Sequence, residues 1–272
     1  MSSSKPPPAS ITTTPAPAFP TRPYNTPHPN FPYTASDLTP QDTTPDPSFY
    51  SSPRYVTHID DHAIALLKDY YAGALPERGR VLDLCSSWVS HFPPALEDRA
   101  VATAKRIKTN DDGGATIRGA SEEGEGDGLE VVGLGMSKPE LDANPVLAER
   151  VVQDLNTNPT IDITPVGGNK QLDATVCVVS IDYLTNPLTV LSSIREQTKP
   201  GGSVHLVVSN RCFPTKCVGR WLRVSETERL EMVGDYLAFS GWEGVEIVEV
   251  CDGRVKEGED LGEMGGGGRW GG

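Results

Sequence analysis

Short apolar runs recur along this chain, and between them apolar residues fall at helical spacing. The runs lie at 81–84 (VLDL), 129–134 (LEVVGL), 151–156 (VVQDLN), 172–180 (LDATVCVVS), 203–209 (SVHLVVS) and 244–250 (GVEIVEV). The fourth is the most apolar and is rich in β-branched residues, as a central parallel strand buried on both faces must be. The sixth alternates apolar with acidic residues, which suits a sheet edge. A helix is expected before the first strand: Asp60 caps it, Ile64, Leu67 and Tyr71 share one face, and Gly73 and Pro76 end it. Another is expected over 95–105. Ser137 and Glu140 have capping-box spacing, and Asn144-Pro145 has the form of a further N-cap with proline at N1. Asn186-Pro187 opens a helix with Leu188, Leu191 and Ile194 in one stripe, stopped by Lys199-Pro200-Gly201-Gly202. Ser225 and Glu228 cap the last helix, which ends at Gly241. Strand and helix therefore alternate with connections of crossover length, and the fold class that follows is α/β, a doubly wound and mostly parallel sheet.

The ends of the chain break this rhythm. Residues 1–47 are rich in Pro, Ser and Thr and poor in apolar area, so a disordered tail is expected there. Residues 251–272 are dominated by glycine and are expected to form a second disordered tail. Residues 48–250 remain as one domain of about 200 residues, enough for a good core. The stretch 109–128 interrupts it and reads as a mobile, polar, Gly-rich surface insertion. The N-terminal stretch has part of a transit-peptide composition, but Lys5 and Arg22 are its only Lys or Arg residues, so an organelle address stands as an alternative to a plain tail.

Formal net charge is −13, with acids clustered at 122–127 and 243–263. That balance argues against nucleic acid or an anionic membrane surface as partner, and favours a small molecule. Five cysteines, an odd number, occur without a CxxC pair or a signal-peptide pattern, which points to a reducing, cytoplasmic setting and to no structural metal. No apolar run approaches the roughly 20 residues that span a bilayer. Oligomeric state is not encoded in any of these patterns.

Three strand ends carry candidate ligand groups: Asp83, followed by Cys85, Ser86, Ser87 and Trp88; Asp154 with Leu155; and Asp182 with Tyr183. In a parallel sheet all three lie on one edge, where a nucleotide-type cofactor can lie across the switch point. His58, Asp60 and Asp61 either anchor and cap the first helix or supply a general base, as Asp182 and Tyr183 also could. His91 suits a helix-start contact as well as a base. Arg211, between Asn210 and Cys212 beyond the fifth strand, could pair with a substrate carboxylate or phosphate, or with Asp182 or Asp60. Lys216, Arg220 and Arg223 read as a solvated helix face or a lid, Cys212 as a buried thiol, and Trp88 and Trp221 as core or pocket wall.

The segments VLDLCSSWVSHFP, VVGLGMSKPEL, NPVLAERVVQDLN, VVSIDYLTNP, KPGG and SNRCFPTK, with FYSSPRYVTHIDD upstream, resemble class I S-adenosylmethionine-dependent methyltransferases. They are most similar to a methyltransferase type 11-like group of fungi, plants and algae. The resemblance covers about residues 48–250 and implies a Rossmann-like fold, S-adenosyl-L-methionine as cofactor and methyl transfer to a small molecule. By it, Asp83 and the turn through Trp88 lie at the methionine moiety, Asp154 and Leu155 at the adenine, and Ser180 with Ile181 beside the transferred methyl. Tyr50, Arg54, Asn210, Arg211, Cys212 and Phe213 would face the substrate. The chain departs from the family in three places. Its first loop is not Gly-rich. Gly135 and Met136 follow strand two where an acid usually holds the ribose, so they would have to line the ribose by backbone contacts. The antiparallel seventh strand is missing or degenerate. A non-catalytic methyltransferase-like binding module is the alternative; a nicotinamide-dependent oxidoreductase is disfavoured by the lack of GxGxxG.

Overall fold

The computed structural model describes residues 19–111, 128–163 and 171–251. The chain runs β1 (Thr21–Pro23), α1 (Ala35–Leu38), α2 (Asp46–Phe49), α3 (Asp61–Ala74), β2 (Gly79–Leu84), α4 (Pro94–Asp111), β3 (Leu129–Gly135) and α5 (Lys138–Ala143). It continues through β4 (Glu149–Val152), β5 (Leu172–Val178), a 3-10 turn at Ile181–Tyr183, α6 (Pro187–Glu196), β6 (Thr198–Val207), α7 (Glu226–Phe239) and β7 (Glu246–Val248).

Five strands form a parallel sheet in the order β4-β3-β2-β5-β6. The chain starts at the central β2, builds outward through β3 and β4, then returns to the other side of β2 with β5 and β6. The order reverses between β2 and β5, which makes the carboxyl end of β2 the switch point of a doubly wound, Rossmann-like sheet. Alternate residues serve opposite faces. Val81, Val131, Ala174 and Val176 pack with Leu67 and Tyr71 of α3 and Leu96 and Ala100 of α4. Leu82, Leu84, Val132 and Leu134 pack with Val190, Leu191 and Ile194 of α6 and Met232 and Tyr236 of α7. Arg80 locks the amino ends of three strands: its guanidinium donates to Glu130 at 2.8 Å, to Glu149 at 2.9 Å and to the carbonyl of Ile163 at 2.8 Å.

Several expectations are corrected. The proline-rich segment is structured from residue 19: Thr21–Pro23 pairs antiparallel with β7, and Tyr24 and Leu38 are buried. The sixth apolar run therefore leaves the main sheet and becomes half of a separate two-stranded ribbon. No seventh strand joins the main sheet among the described residues. The third strand lies at Glu149–Val152, earlier than expected, and Asp154 to Asn156 form a turn. Asn144-Pro145 starts no helix, because the Asn144 amide instead donates to the Ser87 carbonyl and Ser90 Oγ. Ser137 precedes α5 but makes no side-chain cap, since Glu140 is engaged elsewhere. The KPGG turn lies inside β6, which begins at Thr198, and coincides with an irregular register against β5. The basic run is tied to the N-terminal segment rather than forming a solvated helix face, although Arg223 stays exposed. Lys216 is buried between Asp42 and Asp46, Arg220 lies over the Tyr33 ring, and Arg223 meets Asp37 at 2.8 Å. The expected tail beyond residue 251 and most of the 109–128 insertion lie outside the described residues.

Candidate functional site

A cavity of about 320 Å³ opens at the carboxyl end of β2, on the sheet edge where strand order reverses. Asp83 forms its base. The residue is buried between Gly133 of β3 and Val176 of β5, and its Oδ2 accepts from Ser86 Oγ at 2.7 Å and Ser90 Oγ at 2.6 Å. Burial raises its pKa to about 6, while the two hydroxyls pull the other way. Ser90 and the Ser87 carbonyl are held by Asn144, and Ser87 Oγ donates to Glu140 at 2.7 Å. The turn after β2 is thus built from hydroxyls and an amide.

That turn also carries backbone strain. Cys85 has φ 56°, His91 φ 54° and Val179, after β5, φ 44°; all three line the cavity. Such conformations are uncommon for non-glycine residues, and for a β-branched valine they cost the most. The turn reaches the left-handed region with Cys85 where glycine would be the unstrained choice. Across the cleft, Gly135 is indispensable for a different reason: a Cβ there would overlap the carbonyl oxygen of Ser86. Bare backbone at Gly135 lets β3 and the first turn close on one another, and the Ser86 amide donates to the Leu134 carbonyl at 2.8 Å.

On the β4 side, the Asp154 carboxylate accepts from the amides of Asn156 and Thr157 and from Thr157 Oγ1 at 2.6 Å, with Leu155 buried beside it. Asn156 ties three segments together: its amide donates to Asp46 and to the Tyr183 carbonyl, and its carbonyl accepts from Thr185. On the β5 side, Ser180 Oγ returns to the Val178 carbonyl, and the Tyr183 hydroxyl accepts from the Phe213 amide at 2.9 Å.

The segment before α3 crosses the cavity and contributes Tyr50, Val56, Thr57, His58 and Ile59. It is fastened by the Arg54 amide donating to Glu140 at 2.8 Å and by the Trp88 indole donating to the Val56 carbonyl at 3.2 Å. The Arg54 guanidinium lies over Phe49 and Phe213, at 4.4 and 5.0 Å from the ring centroids. His58 meets Phe213 edge-on at 5.5 Å. Burial, then the Arg54 charge, lowers the His58 pKa, with Glu140 partly opposing them.

The cavity brings together His58, Tyr183, Asp83, Cys85, Ser86, Ser87, Gly135, Met136, Asp154, Leu155, Ser180, Tyr50, Arg211, Cys212 and Phe213. It does not bring in Asp60, whose Oδ1 caps α3 through the Ala63 amide at 2.9 Å. Asp182 is buried in the 3-10 turn away from the lining, its Oδ2 without a partner among the described residues, and burial pushes it up to about 7. Trp88, Arg54 and Asn210 also lie off the lining, the first two as fasteners of the crossing segment. Neither suggested internal partner, Asp182 nor Asp60, holds Arg211. Asp46, Glu140 and Gln153 line the site without having been expected there. Asp46 fell inside the presumed tail, and the capping-box spacing of Glu140 concealed its reach into the cleft. Among the described residues no group of three or more His, Cys, Asp or Glu is arranged to hold a metal ion.

Fold and cleft together define a doubly wound α/β protein with a cavity at its switch point. No family model matches the chain, and no curated protein is significantly similar to it. Solved structures that resemble it include an S-adenosylmethionine-dependent methyltransferase from Clostridium acetobutylicum ATCC 824, at 12% identity and TM-score 0.31, over 53% of this chain and 48% of that one. Another, from Geobacter sulfurreducens in complex with S-adenosyl-L-homocysteine, gives 16% and 0.33 over 58% and 52%. Phosphoethanolamine N-methyltransferase 2 of Haemonchus contortus, in complex with S-adenosyl-L-methionine, gives 15% and 0.34 over 72% and 36%. The chain thus spans about half or less of the length of these proteins, and each likeness is to the course of the fold alone.

Proposed function

We propose that this chain is an S-adenosylmethionine-dependent methyltransferase acting on a small molecule. The observation that carries the reading is the convergence of Asp83, Gly135, Met136, Asp154 and Leu155, from three neighbouring strand ends, on one cavity at the switch point. The residues present suit a long, zwitterionic nucleoside. Asp83 and Ser86 offer a carboxylate and a hydroxyl to an amino-acid end. Gly135 offers open backbone, and Asp154 with Leu155 faces the adenine end. β3 lacks the acid that would hold ribose hydroxyls; we assign that role to Glu140, whose carboxylate lines the same side of the cleft and keeps acceptor capacity beyond its bonds to Arg54 and Ser87. The more particular membership, in the type 11-like group, is supported by the sequence segments alone.

When bound, the cofactor supplies an electrophilic methyl on a sulfonium. The chain's own contribution is mainly positional: Tyr50, Tyr183 and Phe213 confine the acceptor, and the crossing segment excludes water. His58 is the base that takes the acceptor's proton. Burial and the Arg54 charge lower its pKa from the ordinary imidazole value, which favours the neutral, proton-accepting ring. Asp60 and Asp182 are left out of the mechanism, one as a helix cap and the other off the lining. The cysteine usage keeps a reducing, cytoplasmic setting in this reading.

Isothermal titration with S-adenosylmethionine and S-adenosylhomocysteine tests the proposal; micromolar binding of at least one is expected, and its absence would overturn it. Incubation with labelled cofactor and cell extract, followed by mass spectrometry, then identifies the acceptor. His58→Gln is expected to lower kcat by about 100-fold or more while leaving the affinity for S-adenosylhomocysteine unchanged. A second reading, a binding module without turnover, draws on the absence of an acid at the end of β3; it predicts cofactor binding with no methylated product.

A further inference from the structure

Residues 46–59, 178–184 and 211–213 supply the part of the lining that the cofactor reading leaves over. Its walls are rings. Phe213 is their hub, 5.4 Å from Phe49, 5.5 Å from His58 and 6.1 Å from Tyr183 between centroids, with Tyr50 in turn edge-on to Phe49 at 5.0 Å. Rings in mutual contact this way present an apolar surface on which a flat body can rest.

The polar groups of this end are mostly committed within the protein. Asp46 is held by Lys216 at 3.2 Å and by Asn156 at 2.8 Å. Asn156 spends its amide and its carbonyl on Asp46, Tyr183 and Thr185. The Tyr183 hydroxyl is taken by the Phe213 amide. An acceptor that depended on a protein carboxylate here would have to compete with those bonds.

Arg211 is different. It is the one Lys or Arg among the described lining residues, it is exposed at the cavity, and its guanidinium has no hydrogen-bond or ion-pair partner among the described residues. Only its backbone is fixed, by the amide donating to Ser209 Oγ at 2.9 Å. Of the other cations nearby, Lys216 is paired with Asp42 and Asp46, while Arg54 lies off the lining, stacked on Phe49 and Phe213 with its Nη1 buried and without a hydrogen-bond partner among the described residues. In a chain of net charge −13, a guanidinium left without an acid is a vacancy for an external anion, which its fork can grip in two places.

Resting on the methyltransferase reading, we infer that the acceptor is an aromatic acid: a flat ring seated against Phe213, Tyr50 and His58, with its carboxylate paired to Arg211 and the group to be methylated directed to His58. Arg211 is then a specificity-determining residue. It distinguishes the acid from its neutral ester or amide, and Phe213 supplies the surface on which the ring rests. Transfer converts an acceptor O–H or N–H to O–CH3 or N–CH3; the proton leaves on His58, and the sulfonium becomes the neutral thioether of the demethylated product.

The test uses the full chain loaded with S-adenosylhomocysteine. Hydroxybenzoates, aminobenzoates and hydroxycinnamates are titrated calorimetrically beside their methyl esters and amides. At least one free acid is expected to bind about tenfold or more tightly than its neutral counterparts, the order of one charge-assisted contact. Arg211→Gln should erase that preference and Arg211→Lys should keep part of it, both with unchanged affinity for S-adenosylhomocysteine. The inference is overturned if no acid in the panel outbinds its ester by that margin, or if Arg211→Gln leaves the preference intact. Failure to bind S-adenosylhomocysteine at all would instead sink the methyltransferase reading, so the two failures are distinguishable.

Discussion

Asp83 and Asp182 are both carboxylates in the interior, pushed up to about 6 and about 7 by burial. Each takes up its proton more readily in the folded chain than in the unfolded one. The stabilising contribution is therefore present below the unfolded value and is lost as pH rises from about 4 to about 7. His91 and His205, lowered to about 4 by burial, act in the opposite sense over much of the same range. The informative quantity is thus a difference. Asp182→Asn is expected to gain stability over the wild type as pH rises through that window and to level off above it, measured by denaturant titration at several pH values; a difference independent of pH would refute the assignment. Gly135→Ala belongs to the same scale. Its methyl would meet the Ser86 carbonyl, so a loss of about 1–3 kcal/mol and weaker cofactor binding are expected from denaturation and calorimetry. Asp83 was legible in the sequence because an acid after a short apolar run is a local pattern. The role of Glu140 was not, since its spacing from Ser137 matches a helix cap and only the fold shows Arg54 and Ser87 claiming its carboxylate.

The segment from residue 19 to residue 45 shows how an element can escape local patterning. The contacts that anchor it to the rest of the fold are remote. The Tyr24 and Tyr33 hydroxyls donate to the buried Asp235 of α7 at 2.8 and 2.6 Å, and the Tyr24 ring lies where a side chain on Gly234 would stand. Phe31 joins the same ring cluster, edge-on to Tyr33 at 5.2 Å. Lys216 holds Asp42 and Asp46 and donates to the Thr44 carbonyl at 2.6 Å. Proline-rich chain has less conformational freedom to lose, so a few buried rings and one buried acid suffice to order it. Tyr33→Phe is expected to cost about 1–3 kcal/mol, since it removes a donor from a buried carboxylate. Hydrogen exchange should localise the loosening to residues 24–38. Unchanged protection there would contradict the role given to this bond. The basic run is visible as charge, but its partners lie 170 or more residues away, beyond any periodicity argument.

For the molecule as a whole, the N-terminal segment completes the fold rather than decorating it. It caps β7, covers α7 and carries Asp46 to the cavity. A chain beginning at residue 48 is expected to unfold at a temperature lower by roughly 4 °C or more and to bind S-adenosylhomocysteine less tightly, as read by thermal unfolding and calorimetry. The apolar runs by themselves determined the five parallel strands, with the third displaced to Glu149–Val152, and the helices α3, α4, α6 and α7 around them, because burial on two faces imposes a run length and a composition that are local properties. They also marked Asp83 near the end of β2 and Asp154 in the turn that follows β4. Tertiary structure decided the rest: that β7 pairs with residues near the amino terminus, that Asp60 and Asp182 lie off the cavity, and that Glu140 enters it. Those outcomes turn on hydrogen bonds and ion pairs between residues far apart in sequence, and nothing in the local pattern of a strand or helix records which distant partner will claim a side chain.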